Sequence, residues 1–279
     1  FNHRWTQIDT DFYCLISVFI RVYLWFLIDM EQFFVKLKNR GLIHLEGADR
    51  HDFLQGLITN DIEKLKQDKM LYACLLTPQG KFLHDFFILE GKDFTLLDCE
   101  GSDRAHDLYE RLLKYRLRKD VQISVEEHND VYATFGSETG LPDPRHPDMG
   151  YRTFEKPEDL PEAPFEEWDR RRIQLTIPDG SRDLIPEKST MDEGNMDRWN
   201  AIDYQKGCYI GQELTARMHY RGLGKKHLKT VKLKPSLRAN EYKRSNPENW
   251  IATSASPPRN DIIELRSTCG DIGIALVKS

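Results

Sequence analysis

The chain has 279 residues, of which 39% are hydrophobic and 30% charged, so it is long enough to bury a large core in two or three domains. Its formal net charge of -5 excludes a global electrostatic field that would attract nucleic acid, and no nucleic-acid partner is expected. The five cysteines form no CxxC pair, which excludes a sequence-local zinc or cluster site and is typical of a reducing compartment. They are Cys14, Cys74, Cys99, Cys208 and Cys269.

Residues 14–28 form an apolar run that Ser17 and Arg21 interrupt. The run is shorter than the roughly 20 apolar residues that a membrane span requires, so no stable membrane insertion is predicted. Asp9 and Asp11 precede the run, which is unlike a secretory signal or a mitochondrial presequence. We interpret residues 1–29 as an N-terminal extension outside the functional fold, with a membrane-surface anchor as the alternative.

Residues 30–126 are predicted to form a first α+β lobe. Alternating apolar residues indicate strands, and turn signals at PQG and GKD arrange three of them as an antiparallel meander. Helical spacing of apolar residues indicates two helices. The predicted strands cover 33–45, 71–76, 82–89, 94–97 and 121–125, and the predicted helices follow Gly47 and cover 104–118.

The predicted helix over 104–118 and the residue after it are rich in cations. They are Arg111, Lys114, Arg116, Arg118 and Lys119. Charge on the exposed face of a helix is the norm, so we interpret these side chains as a solvated surface.

Residues 127–226 are predicted to form a second α+β lobe, which could interleave with the first. A strand is expected over VYATFG from Val131 and a helix over 168–175. Residues 227–279 are predicted to form a small β-unit, because short apolar stretches alternate with turn residues. This order of elements favours the α+β class. The short apolar stretches within residues 227–279 cover 250–253, 262–265 and 272–277.

The segment KGCYIGQE, residues 206–213, places Cys208 beside a glycine with no other cysteine near it. Lys206 and a helix beginning after the cysteine would both favour a reactive thiolate. The alternative from the residues alone is a small buried side chain, which is what most unpaired cysteines are. Arg217 and Arg221 then begin a cationic stripe that suits a ligand with carboxylates or phosphates.

Several stretches together resemble the YgfZ/GcvT-like folate-binding family. Within that family, the sequence most resembles the bacterial and mitochondrial branch that helps to mature 4Fe-4S proteins. The stretches are KGCYIGQE followed by TARMHYRG, GADRHDFLQGLITNDI, LLTPQGKFLHDFFI and DRRRIQLTIPDGSRDLIPEKSTM.

The resemblance implies a three-lobed cloverleaf around a central channel, with two α+β lobes and a small C-terminal β-barrel that could be truncated here. Tetrahydrofolate or a derivative is the implied ligand of the channel. No permanent metal is expected, since one cysteine does not supply the four thiolates that usually hold a cluster. A transient contact between Cys208 and a cluster stays open.

The resemblance also implies the residues of the site. Cys208 is the implied functional thiol, and the ligand is expected to lie between the KGCYIGQE motif, the TND turn and the PQGK turn. The implied folate-binding residues are Lys206, Gly207, Tyr209, Gly211, Gln212, Glu213, Arg217, Arg221, Asn60, Asp61, Gln79 and Lys81.

The implied function is that of a folate-binding accessory factor in iron-sulfur protein maturation, with assembly or client proteins as partners. The alternative is a folate-dependent aminomethyltransferase of the glycine cleavage type. That branch has an aspartate at the position of Cys208 and a pair of acids at His84-Asp85, and loss of one carboxylate should impair proton handling at folate. A bacterial cytoplasm is the expected location, with the mitochondrial matrix as the alternative.

Overall fold

A computed structural model of the chain describes residues 32–126, 130–233, 250–251 and 261–278. The extension predicted over residues 1–29 lies outside the described residues. Thirteen strands, four α-helices and three short 3-10 helices are found in the described ranges. The strands are β1 Phe33–Leu37, β2 Arg40–Glu46, β3 Leu71–Leu76, β4 Phe82–Glu90, β5 Phe94–Glu100, β6 Gln122–Glu126, β7 Val131–Phe135, β8 Leu141–Pro142, β9 Tyr151–Thr153, β10 Lys226–Leu233, β11 Trp250–Ile251, β12 Ile262–Cys269 and β13 Ile272–Lys278. The helices are α1 Arg50–Gln55, α2 Asp103–Arg116, α3 Phe165–Leu175 and α4 Gln212–Arg221.

The first sheet is antiparallel and has the strand order β3-β4-β5-β2-β6. Its strand β4 is buried along nearly its whole length, on both faces. One face packs under α1 and α2 through Phe53, Leu54, Leu108 and Leu112. The other face is covered by the rest of the molecule, which explains the almost continuous apolar run in β4.

The second sheet has the strand order β1-β7-β9-β8. Its edge strand β1 comes before the whole first sheet in the chain and pairs antiparallel with β7, which comes after it. The sequence predicted one strand over 33–45, but the structure divides this stretch at a turn over residues 38–39. The two halves then join different sheets, so the chain path interleaves them.

The third sheet has the strand order β11-β10-β13-β12 and is antiparallel. The strands that the structure describes form an open four-stranded sheet, consistent with a truncated form of the predicted barrel. Helix α3 packs against β1 of the second sheet and against β10, β12 and β13 of the third. This helix therefore joins the second and third sheets.

One apolar core is shared by all three sheets. Leu42 and Phe87 of the first sheet, Val35 of the second and Ile274 of the third belong to the same buried cluster. The first and third sheets also have smaller buried clusters of their own, and the shared cluster packs the three sheets together as parts of one molecule. No helix among the described residues is long and apolar enough to cross a membrane.

Candidate functional site

The side chain of Lys206 is folded back onto the TND region of the chain. Its ammonium donates hydrogen bonds to the carbonyl oxygens of Gln55, Ile58 and Asn60 at 2.7–2.8 Å. The residue is only 8% exposed, and burial lowers the pKa of its ammonium to about 8. Lys206 thus anchors the KGCYIGQE segment to the end of α1. Because its ammonium uses all three donors within the chain, none is left for an external ligand.

One glycine of the motif, Gly211, packs against Gly80 of the PQGK turn. Gly211 has φ +83°, and a Cβ built there would lie 2.6 Å from the carbonyl oxygen of Thr77. Gly80 has φ +74°, and its added Cβ would meet Leu214 at 2.7 Å. Since both positions need a left-handed backbone and neither has room for a side chain, the motif and the turn can only meet through glycine.

Cys208 is exposed at this junction, whereas Cys74 and Cys99 are fully buried. Burial raises the pKa of the Cys74 thiol, and it raises the pKa of Cys99 to about 12. Next to Cys208, Tyr209 turns inward and is 8% exposed, and burial raises its pKa to about 12. The alternative of a buried structural cysteine is therefore wrong for Cys208.

Helix α4 follows the motif and presents aromatic and basic side chains to solvent. Tyr204 and His219 stack with ring centroids 3.8 Å apart, and the 70% exposed Tyr220 lies edge-on to both. Arg217 forms an ion pair with Glu213, one turn earlier on the same helix. The implied ligand group Arg217 is therefore neutralised within the chain, while Arg221 is exposed and makes no ion pair among the described residues.

The TND turn is bonded to the segment that precedes the motif. Thr59 donates its hydroxyl to the carbonyl of Ala201 at 2.6 Å. Asn60 donates to the carbonyls of Tyr72 and Asn200 at 2.9 and 2.8 Å, and Asp61 accepts from Gln55 at 2.7 Å. These polar side chains hold loops together, which leaves the exposed Gln79 and the half-buried Lys81 and Gln212 as the freer groups of the PQGK turn and the motif.

His84 and Asp85 are adjacent in the chain but do not form a pair. His84 contacts the carboxylate of Asp107 through Nε2 at 2.8 Å, and burial lowers its pKa to about 4. Asp85 points to the opposite face of β4, where it accepts a hydrogen bond from the hydroxyl of Tyr72 at 2.7 Å. Burial raises the pKa of this carboxyl group.

A second feature, a cleft of about 700 Å³, lies where α3, the 195–199 segment and the third sheet meet. We call it the β10 cleft. Gln174 and Thr176 come from the end of α3, and Lys229 and Lys232 come from β10. Sequence reasoning did not single out the cleft, because its walls come from three distant stretches of the chain.

Trp199 lines the β10 cleft, is 9% exposed and has no hydrogen-bond partner for its buried indole N–H among the described residues. Two asparagines with left-handed backbones hold the segment that carries it. Asn195 donates to the carbonyl of Leu228 at 3.0 Å, and Asn200 donates to that of Pro144 at 2.8 Å. The indole N–H is thus buried without a hydrogen-bond partner among the described residues, while other atoms of Trp199 line the cleft.

The β10 cleft carries net positive charge. Arg198, Lys229 and Lys232 line it without an ion-pair partner in the part of the chain that the structure describes. Arg170 pairs with Asp271 at 2.9 Å, so that pair is neutral. Three cations in excess make the cleft suited to a ligand with carboxylates. No group of three or more metal-ligating side chains occurs within the described ranges.

Comparison with known proteins identifies the relatives of this chain. No family model matches it. The mitochondrial iron-sulfur cluster assembly factor IBA57 homolog of Pyricularia oryzae is 30% identical, over 88% of this chain and 71% of that protein. The mitochondrial IBA57 of Mus musculus is 29% identical over 88% of this chain and 77% of its own length. These mitochondrial names agree with the mitochondrial alternative for the location.

The chain spans 53% to 60% of the length of four further relatives, among them the Neurospora crassa IBA57 homolog, which is 32% identical. Among solved structures, the glycine cleavage system aminomethyltransferase T from Bartonella henselae matches with a TM-score of 0.56 and 16% identity, over 89% of this chain and 85% of that one. This likeness confirms the predicted fold. The chain belongs to the IBA57 family of iron-sulfur cluster assembly factors.

Proposed function

We propose that this protein acts in iron-sulfur cluster assembly and that Cys208 is the thiol through which it does so. The observation that carries the proposal is the exposure of Cys208 on a loop anchored by Lys206 and clamped by Gly211. A loop fixed so firmly for an exposed thiol is the arrangement expected where the thiol meets a partner. The names of the relatives supply the process.

Cys208 is well placed for a transient contact with a cluster held mainly by another protein. One thiolate cannot hold a cluster alone, so the remaining ligands must come from the partner. His219 and Tyr220 of helix α4, with Tyr204 of the segment before the motif, offer that partner an aromatic surface. Aromatic side chains of this kind are enriched in protein interfaces.

The test is complementation of cells that lack their own IBA57 relative, scored by the activity of 4Fe-4S enzymes in mitochondria. Cys208→Ala is expected to abolish rescue, and Cys269→Ala, which removes a half-buried thiol on β12, is expected to rescue fully. Circular dichroism verifies that both variants fold. Full rescue by Cys208→Ala would overturn the proposed role of the thiol.

We further propose that the protein binds tetrahydrofolate or a derivative, and that the β10 cleft receives it. The cleft volume of about 700 Å³ is within the range of roughly 300–1,000 Å³ that is usual for small-molecule sites. The indole ring of Trp199 and the amide of Gln174 suit a planar heterocycle with a polar edge, and Lys229 and Lys232 suit the glutamate carboxylates.

In this proposal, most of the folate-binding residues expected from the sequence take a different part. The polar atoms of Lys206, Asn60 and Asp61 form hydrogen bonds within the chain itself. They would therefore build the loop that carries Cys208, while the cleft residues would contact the ligand.

Titration with tetrahydrofolate, followed by tryptophan fluorescence and calorimetry, tests the site. Trp199→Phe should remove most of the quenching, and Trp168→Phe, which lies in the core outside the cleft, should keep it. Lys229→Glu with Lys232→Glu should weaken binding at least roughly fivefold, about 1 kcal/mol, as expected for lost charge pairs. Absence of both heat and quenching would overturn folate binding.

The second candidate function is a folate-dependent aminomethyltransferase. The fold of the Bartonella henselae protein is the observation in its favour. A direct assay of aminomethyl transfer to tetrahydrofolate decides between the two. We expect no transfer, since the buried Asp85 is occupied by the hydroxyl of Tyr72 and its neighbour His84 faces the other side of the sheet.

A further inference from the structure

Helix α2 ends in a tight turn whose backbone is unusual for its sequence. The amide of Lys119 donates to the carbonyl of Arg116 at 2.9 Å, which closes a β-turn over residues 116–119. Leu117, the first central residue, has φ 47° and ψ -112°. These angles are close to the roughly +60° and -120° of a type II′ turn, a position that glycine dominates because a Cβ is strained there.

Leu117 gains no packing that would compensate for this strain. Its side chain is 86% exposed, the most exposed of the large hydrophobic residues in the described part of the chain. A leucine in the place of a glycine contradicts the backbone preference of this turn, and its exposure shows that burial does not compensate. Such violations persist mainly where function needs them.

Cations surround the exposed leucine. Lys114, Arg116 and Arg118 are exposed and make no ion pair among the residues that the structure describes, while Lys119 pairs with Asp52. Attraction to the C-terminal end of the helix dipole accounts for cations in the last turn of α2. It does not account for Arg118, which lies beyond the helix, or for the apolar apex between Arg116 and Arg118.

We propose that this turn, which we call the Leu117 turn, contacts the surface of an anionic phospholipid membrane. A single leucine is far too small for a protein interface, which requires roughly 800 Å² on each partner. A lipid surface requires no complementary shape, since one aliphatic group inserts among the acyl chains and the flanking cations meet the headgroups. Tyr115, half-buried just before the turn, suits the interfacial layer.

Co-sedimentation of the full chain with vesicles tests the proposal. Binding to phosphatidylcholine vesicles that contain phosphatidylglycerol should exceed binding to pure phosphatidylcholine by at least roughly fivefold, the factor expected from one cation at an anionic surface. The excess should fall in high salt, because surface charges are screened. Equal binding to both kinds of vesicle would overturn the proposal.

Two substitutions at the apex separate a membrane role from a structural one. Leu117→Ser should lower binding to the anionic vesicles, and the matched control Ile263→Ser, at an exposed apolar residue on β12, should not. Leu117→Gly should lower binding and yet raise the melting temperature, since it relieves the turn. If Leu117→Ser and Leu117→Gly bind anionic vesicles as well as the unchanged protein does, the Leu117 turn has no such role.

Discussion

Lys206 acts as a structural donor rather than as a free charge next to the thiol. Replacement by methionine would keep most of the buried side chain but leave the carbonyls of Gln55, Ile58 and Asn60 without a donor. We expect Lys206→Met to reduce the free energy of unfolding by about 3 kcal/mol, as for the loss of charged hydrogen bonds in a buried site. Urea unfolding measures it.

The matched control is Lys225→Met, at an exposed lysine in the loop after α4. This variant should change the free energy of unfolding by no more than about 0.5 kcal/mol, because the side chain makes no hydrogen bond or ion pair in the described part of the chain. Equal effects of the two substitutions would show that the three carbonyl contacts of Lys206 contribute nothing.

His84 should make the protein sensitive to mild acid. Its pKa is about 4 in the folded protein because burial disfavours the charged ring, with Arg104 acting in the same direction, against an ordinary value of 6.5. Between pH 6.5 and pH 4 the unfolded chain binds a proton that the folded chain does not, so stability falls as the pH falls. The loss approaches about 3 kcal/mol below pH 4.

Urea unfolding across this pH range checks the slope. His84→Gln cannot take up the proton, so the part of the pH dependence that arises at this position should disappear. His51→Gln, at an exposed histidine paired with Glu90, is the control and should keep it. An unchanged slope in His84→Gln would contradict the buried neutral state of His84.

At the scale of elements, the start of α4 depends on a glycine contact. Gly211→Ala would press a methyl group against the Thr77 carbonyl in a left-handed backbone. We expect Gly211→Ala to reduce the free energy of unfolding by more than about 3 kcal/mol, because the PQGK turn and the start of α4 must move apart. Gly222→Ala, at the other end of the same helix, has open space around it and should lose only about 1–2 kcal/mol for its backbone conformation.

Thermal unfolding of the two glycine variants measures the difference. Reactivity of Cys208 toward a thiol reagent adds a second readout, since displacement of the motif would alter access to the thiol in Gly211→Ala alone. Similar losses of stability in both variants would mean that the contact between Gly211 and the PQGK turn is dispensable.

At the scale of the whole molecule, a buried charge cluster ties the first sheet to the second. Asp98 of β5 accepts from Arg40 of β2 at 2.6 Å and from Arg152 of β9. Both guanidinium groups and that of Arg145 lie over the ring of Phe87, at 3.8–5.5 Å from its centroid. The cluster therefore joins elements from two sheets around one aromatic ring.

Removal of the carboxylate charge in Asp98→Asn should reduce the free energy of unfolding by about 3–5 kcal/mol, since the buried guanidinium groups of Arg40 and Arg152 lose the carboxylate that they share. The control is Asp130→Asn, which breaks the exposed pair with Lys36 at 2.6 Å and should cost at most about 1 kcal/mol. Urea unfolding compares the two. A loss below about 1 kcal/mol in Asp98→Asn would show that the cluster does not hold the sheets together.

The sequence predicted the positions of strands and helices better than it predicted which strands pair and which distant residues are in contact. Alternating and helical patterns located most strands and helices, because those patterns depend on neighbouring residues. The pairing of β1 with β7 and the carbonyl contacts of Lys206 depend on residues far apart in the chain, which no local pattern encodes. Trp199 was missed for the same reason. Cys208 was singled out by the resemblance of its motif to a known family, since the residues alone left a small buried side chain as the alternative.

The pairing of β1 with β7 has a consequence for how the chain is made. A ribosome releases β1 first, but its partner strand is translated only after the entire first sheet. At bacterial or eukaryotic elongation rates this delay lasts on the order of ten seconds. During it, Phe33, Phe34 and Val35 have no sheet to join, so the nascent chain offers an apolar edge to which chaperones, or another copy of itself, can bind.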